Sequence, residues 1–223
     1  MKLRPFNNYN LYDFPPVLAW NPIAMRCTRV DEGCRNCWHL RMAERFSTNP
    51  IFDVYIRNAY GGTPFQEPQY FPIKNIGKSG NCIFDNNKCI RADVAMYKCV
   101  TSVICVQFMG DLFHPSVPRG WIDRIFCTMI QNNKHVFLLL TKRPENIPPW
   151  KIPDNCWLGT SVHDQASADV RIPQLLKTKC KNKWLSVEPM LGEVRLIGLG
   201  ADEFGFIACG PETGHSARPC DGA

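Results

Sequence analysis

Short apolar runs that end in a polar turn recur along the chain. Val17 to Trp20 precedes Asn21 and Pro22, Val103 to Met109 precedes Gly110 and Asp111, and Val136 to Leu140 precedes Thr141, Lys142 and Arg143. Trp157 to Val162 leads into His163, Asp164 and Gln165, Trp184 to Val187 into Glu188 and Pro189, and Phe204 to Cys209 into Gly210, Pro211 and Glu212. Each run has the length and unbroken hydrophobicity of a strand buried on both faces, as in a parallel sheet covered by helices. Between Gly110 and Val136, Trp121, Ile122, Ile125, Phe126, Met129 and Ile130 fall on one helical face, with Ser116 and Pro118 as a start signal. Cys127 on this helix and Cys105 within a strand read as core packing. Trp38, Met42 and Phe46 predict a second helix, from Cys37 to about Phe46, that packs inward. A short third helix is expected near Pro173. Strand, helix, strand repetition with right-handed crossovers makes this an α/β protein with a parallel sheet, open or rolled into a complete or partial barrel.

In either form function sits at the carboxyl ends of the strands. Asp111, Lys142, Arg143, Ser161, His163, Asp164, Glu188 and Glu212 would then share one rim, although Asp164 and Glu188 could serve only to cap or turn the chain. The stretch from Ser47 to Thr101 breaks the rhythm with Gly61-Gly62, Gly77, Gly80 and many Asn, and reads as an insertion of about 47–100 after the first helix. Cys82, Cys89 and Cys99 lie within it; a second metal site there has only the weak support of their spacing.

Composition narrows the class. The 223 residues are 45% hydrophobic and 21% charged, which describes one globular domain, 1–223, and excludes a disordered or collagen-like chain. No apolar run approaches the roughly 18 residues of a membrane span and no signal-peptide order opens the chain, so a soluble, cytoplasmic protein is expected. Twelve cysteines in a reducing compartment point to packing, metal ligation or redox chemistry rather than disulfides. The net charge is +6, and between Lys134 and Lys183 nine Lys or Arg face four Asp or Glu. That surplus favours nucleic acid or another polyanion, while Lys177, Lys179, Lys181 and Lys183 also suit a solvated loop.

Cys27, Cys34 and Cys37 carry the most specific signal. They follow the first strand, and Cys37 opens the first helix, where exposed N–H groups and the helix dipole favour thiolates and hence metal ligation. Three cysteines are one short of the usual closed set for structural zinc or an iron–sulfur cluster. They could bind three irons of a 4Fe–4S cluster with the fourth left open, or His39 or another cysteine could complete a zinc site.

The blocks AWNPIAMRCTRVDEGCRNCWHLRMAERF, VQFMGDLFHPSVPRGWIDRIF, HVFLLLTKRPENI, WLGTSVHDQ, WLSVEPMLG and ACGPETGHSARP resemble, in order, those of an uncharacterised phage and bacterial three-Cys-motif protein family. That family is grouped with the radical S-adenosylmethionine (radical SAM) superfamily. The resemblance implies a partial (β/α)6 parallel barrel in which Cys27, Cys34 and Cys37 hold a 4Fe–4S cluster. Its open iron would chelate S-adenosylmethionine (SAM), and an external electron donor would drive reductive cleavage of the sulfonium. By the same resemblance Gly110 and Asp111 lie near the SAM ammonium, Trp38 can reach the adenine, and Lys142 and Arg143 can bind a SAM carboxylate or a substrate phosphate. Ser161 and Glu188 are candidates for ribose or substrate contacts. Asp111, Lys142, Arg143 and Glu188 are the catalytic candidates.

This chain departs from the superfamily in places. Six residues, Thr28 to Gly33, separate the first two cysteines where most radical SAM enzymes have three, and Asn36 stands where an aromatic residue often precedes the third. Members of the three-Cys-motif family commonly carry Glu at the position of His163 and continue beyond the last block, so a shortened C-terminus is expected. Two functions compete: a radical SAM-type enzyme acting on an unknown, nucleic-acid-related substrate, and a zinc-stabilised protein that binds nucleic acid or a partner protein.

Overall fold

The computed structural model describes residues 17–24, 27–41, 69–70, 84–85, 88–89, 103–133, 135–198, 200, 202–213 and 216–220. Its strands are β1 (Val17–Trp20), β2 (Ile23–Ala24), β3 (Gln69–Tyr70), β4 (Phe84–Asp85), β5 (Lys88–Cys89), β6 (Val103–Val106), β7 (Val136–Thr141), β8 (Cys156–Val162), β9 (Asn182–Val187) and β10 (Phe206–Cys209). Helix α1 is Arg119–Gln131 and helix α2 is Gln165–Leu176. Each of the six apolar runs supplies a strand of one sheet, in the order β1-β6-β7-β8-β9-β10, and every neighbouring pair is parallel. The protein is therefore α/β, with α1 crossing from β6 to β7 and α2 from β8 to β9. Two short antiparallel pairs, β2 with β3 and β4 with β5, stand apart from the sheet. Among the described residues no helix is long and apolar enough to cross a membrane.

Burial corrects the expectation of strands covered equally on both faces. In β6 and β7 fully buried and half-buried positions alternate. The buried set, Ile104, Val106, Phe137 and Leu139, joins Ile122, Ile125, Phe126 and Met129 of α1 in the main core. Successive side chains of a strand point to opposite faces, so α1 seals one face and the other is only half covered. Cys127 falls on the outer side of α1 and is exposed, contrary to the core packing expected of it. The third helix starts at Gln165, not near Pro173, because Asp164 and Ser167 form a reciprocal capping box; Pro173 lies inside the helix. Trp38 opens a helical turn but is 54% exposed, so it does not pack inward. Met42, Phe46, Cys82 and Cys99 lie outside the described residues, as does the side chain of Cys89.

Gln107 joins the sheet to β2, which precedes the cysteines. The β6 run stops short of Met109 because Gln107 takes a left-handed conformation, φ 57°, while its N–H still bonds Trp20 O at 2.8 Å. That twist aims its buried amide at β2, where Oε1 accepts from Ile23 N–H at 2.9 Å and Nε2 donates to Ile23 O at 2.8 Å. A conformation unfavourable for a non-glycine residue is thus held by two buried hydrogen bonds. Gln107→Leu removes both and strands two backbone groups, so equilibrium urea unfolding should show a loss of about 2–4 kcal/mol; a loss under about 0.5 kcal/mol, ordinary for surface changes, would contradict this role.

Candidate functional site

Because all six strands run the same way, their carboxyl ends share one edge. A cavity of about 410 Å³ opens there, lined by Cys27, Cys34, Cys37, Trp38, Gly110, Asp111, Lys142, Arg143, Ser161 and Glu188; His163 and Asp164 of the expected rim are outside its lining. Glu212 lines it too, beside His39, which the zinc reading had weighed. The basic cluster falls elsewhere. Lys177, Lys179 and Lys181 lie in the connection from α2 into β9, at the opposite, amino edge of the sheet, and are exposed.

The cysteines sit on a tight, hydrogen-bonded segment. Asp31 is extended, Glu32–Cys34 forms a single 3-10 turn, and the N–H groups of Cys34 and Cys37 bond Asp31 O at 3.0 Å and Cys34 O at 3.2 Å. Cys37 O accepts the first bond of the following helical turn, from Arg41 N–H at 3.1 Å. Cys34 is buried, and Cys27 and Cys37 are half-buried. Burial pushes the Cys27 thiol up to about 11, and the nearby Asp111 carboxylate adds to the effect against the opposing pull of Arg143. A metal taking Cys27 must therefore displace a proton. Among the described residues no three His, Cys, Asp or Glu side chains converge on a position for one metal ion.

Asp111 and Arg143 are buried together. Asp111 Oδ1 accepts from Phe113 N–H at 3.0 Å and Thr141 Oγ1 at 2.7 Å; Oδ2 accepts from Lys142 N–H at 3.2 Å and Arg143 Nη1 at 3.0 Å. Arg143 Nη2 reaches Thr28, donating to its O at 3.0 Å and Oγ1 at 2.9 Å, and Nη1 lies 3.9 Å from Cys27 Sγ. Burial alone would lower the Arg143 pKa, but Asp111 and Cys27 hold it above its ordinary value. His114, which sequence reasoning missed, adds a 2.8 Å contact from Nε2 to Thr28 Oγ1. Its only sequence signal is its place in the turn after β6. Asp111 and Arg143 are thus bonded within the chain, as is the Ser161 hydroxyl, which donates to Glu188 O at 2.9 Å.

A second set of charges holds the middle of the cysteine segment. Asp31 contacts Arg171, lies 3.8 Å from Lys142 Nζ and 3.7 Å from His163 Nδ1, and Arg171 also donates to Ser161 O at 2.7 Å. Burial opposes ionisation of Asp31, but Lys142, Arg171 and His163 outweigh it and hold its pKa below the usual range. Burial lowers the His163 pKa despite Asp31 and Asp164. At the far end Glu212 accepts from Arg218 and, at 2.9 Å, from Asn36, while Arg218 reaches Glu32 at 3.1 Å. Lys142, Glu188 and Trp38 keep more exposure and face the cavity.

A sequence model of one protein family matches residues 17–223. The chain belongs to that family, DUF5131, a family of unknown function. No curated protein and no solved structure matches it. The cysteine segment and all six strands fall within the part that DUF5131 covers.

Hydrogen bonds from Arg218, partly offset by burial, lower the Glu212 pKa from 4.5 to about 2. Its stabilisation is therefore complete above pH 4.5 and is lost as pH falls through about 2. The stability difference between wild type and Glu212→Gln, read from urea midpoints, should be constant above that window and shrink within it; a difference that grows on acidification would contradict the assignment.

Proposed function

We propose that this DUF5131 protein is a radical SAM-type enzyme: a partial (β/α)6 barrel that binds a 4Fe–4S cluster through Cys27, Cys34 and Cys37 and cleaves SAM to modify an as yet unidentified substrate. The observation that carries the reading is the meeting of all three cysteines with oppositely charged groups in one cavity at the carboxyl edge of a parallel sheet. Soft thiols are the donors an iron–sulfur cluster takes, and three thiols leave one iron open.

The segments after both edge strands, β1 and β10, line the cavity together with residues from the strands between, as a partial barrel would require.

The lining also suits SAM. Lys142 presents a cation and Glu188 an anion, matching the carboxylate and ammonium of the methionine moiety, and Trp38 offers a ring face for adenine. Val30, Phe108 and Leu140 add apolar wall between the polar groups. Bound there, the cluster would supply the electron that cleaves the sulfonium. Asp111 and Arg143 contribute by position, holding Thr28 and Cys27 against the sheet. The basic loop lies at the other edge, so it does not argue for nucleic acid at this cavity.

The test is reductive SAM cleavage by anaerobically reconstituted protein with dithionite, measured as 5′-deoxyadenosine. Wild type should form it, and Cys27→Ala, Cys34→Ala and Cys37→Ala should each lose at least about 10³-fold in rate while retaining the far-UV circular dichroism of the wild type. Equal rates in all three variants and wild type would remove the cysteines from the chemistry.

A further inference from the structure

The six residues between Cys27 and Cys34 do more than lengthen a loop. Thr28 is held at the ends of β6 and β7 by His114 and Arg143. Three residues further on, Asp31 enters a socket built by other strands: Lys142 after β7, His163 after β8, and Arg171 from α2. Glu32 then meets Arg218 beyond β10. The segment therefore crosses the carboxyl edge from the β1 side to the β10 side, with an anchor at each stage.

Asp31 is the central anchor, and its surroundings leave little slack. Arg171 is buried, and its other hydrogen bond goes to Ser161 O, so it cannot follow a departing partner without giving up that bond. Gly33 packs so closely that a side chain there would meet Lys142 Nζ at 2.8 Å, His163 Nδ1 at 3.0 Å and Asp31 Oδ1 at 3.1 Å. Asp31 O accepts the hydrogen bond from Cys34 N–H, so the anchor passes directly to a cysteine.

We propose that Asp31 is a positioning residue: seated among Lys142, His163 and Arg171, it pins the segment between Cys27 and Cys34 across the carboxyl edge and thereby presents Cys34 and Cys37 to the cavity. A segment with three residues between the cysteines has no room for this excursion, so the long spacing and the socket belong together. This inference rests on the reading of the three cysteines as cluster ligands, but its geometry can be tested without a cluster.

In metal-free protein the rate of Cys34 alkylation by iodoacetamide, followed peptide by peptide by mass spectrometry, reports local release of the segment. Asp31→Asn, which removes the charge, and Gly33→Val, which wedges the socket without adding or removing a charge, should each raise that rate roughly tenfold or more, and Asp31→Glu should restore most of the protection. Exposed Cys127 and buried Cys156 serve as internal references and should react as in wild type. Cys34 rates within about twofold of wild type in both variants would overturn the proposal, as would an equal rise at Cys156, which marks global rather than local opening. After anaerobic reconstitution, Asp31→Asn should also lose iron to a chelator several-fold faster than wild type. A wild type that takes up no iron or sulfide would overturn the cluster reading, while the alkylation rates would still decide the role of Asp31.

Discussion

The carboxyl edge of the sheet depends on a buried ion pair. Asp111 at the exit of β6 and Arg143 at the exit of β7 meet at 3.0 Å, and neither is more than a tenth exposed. Removing either would leave a buried charge without its partner, which costs far more than a surface pair contributes. The geometry uses that constraint twice. Four hydrogen bonds to Asp111 lock the two exits together, and the other arm of Arg143 holds Thr28, so the segment following Cys27 is fixed to the sheet by the same pair.

From this fixed point the cysteine segment is tethered at successive stages, by Asp31 in its cationic socket and by Glu32 and Asn36 against Arg218 and Glu212. The tethers come from the ends of separate strands and from α2. Charges that hold the segment are mostly bonded to one another. Lys142, 3.8 Å from Asp31, and Glu188, which accepts from Ser186 at 3.2 Å, are the more exposed charges on the cavity.

Much of the architecture was legible along the chain, for a physical reason. Parallel strands under helices read as unbroken apolar runs, and the polar residues that follow them gather on one rim once direction is shared. That logic brought Lys142, Ser161 and Glu188 together with the cysteines before any contact was seen. The socket of Asp31 was not legible, because its partner Arg171 is 140 positions away and sits in a helix whose polar first turn hid its start. Pro173 misled because proline favours a first helical turn, whereas here the capping box of Asp164 and Ser167 sets the start two turns earlier. Cys127 and Trp38 were misplaced because residues beside an apolar stripe were read as part of it. Gln107 gave no sign of its role, since a left-handed glutamine has no sequence signature.

On the proposed reading, the tethering gives a structural purpose to the six-residue spacing between the first two cysteines. The central claim is that the resulting cavity holds an iron–sulfur cluster with an open iron facing a small zwitterionic cofactor. Its most direct test is anaerobic purification with iron, sulfide and zinc analysis, and electron paramagnetic resonance of the reduced protein before and after adding SAM. The account predicts about four irons and four sulfides per chain and a spectrum that SAM perturbs. One zinc per chain without sulfide, or a cluster spectrum indifferent to SAM, would contradict it.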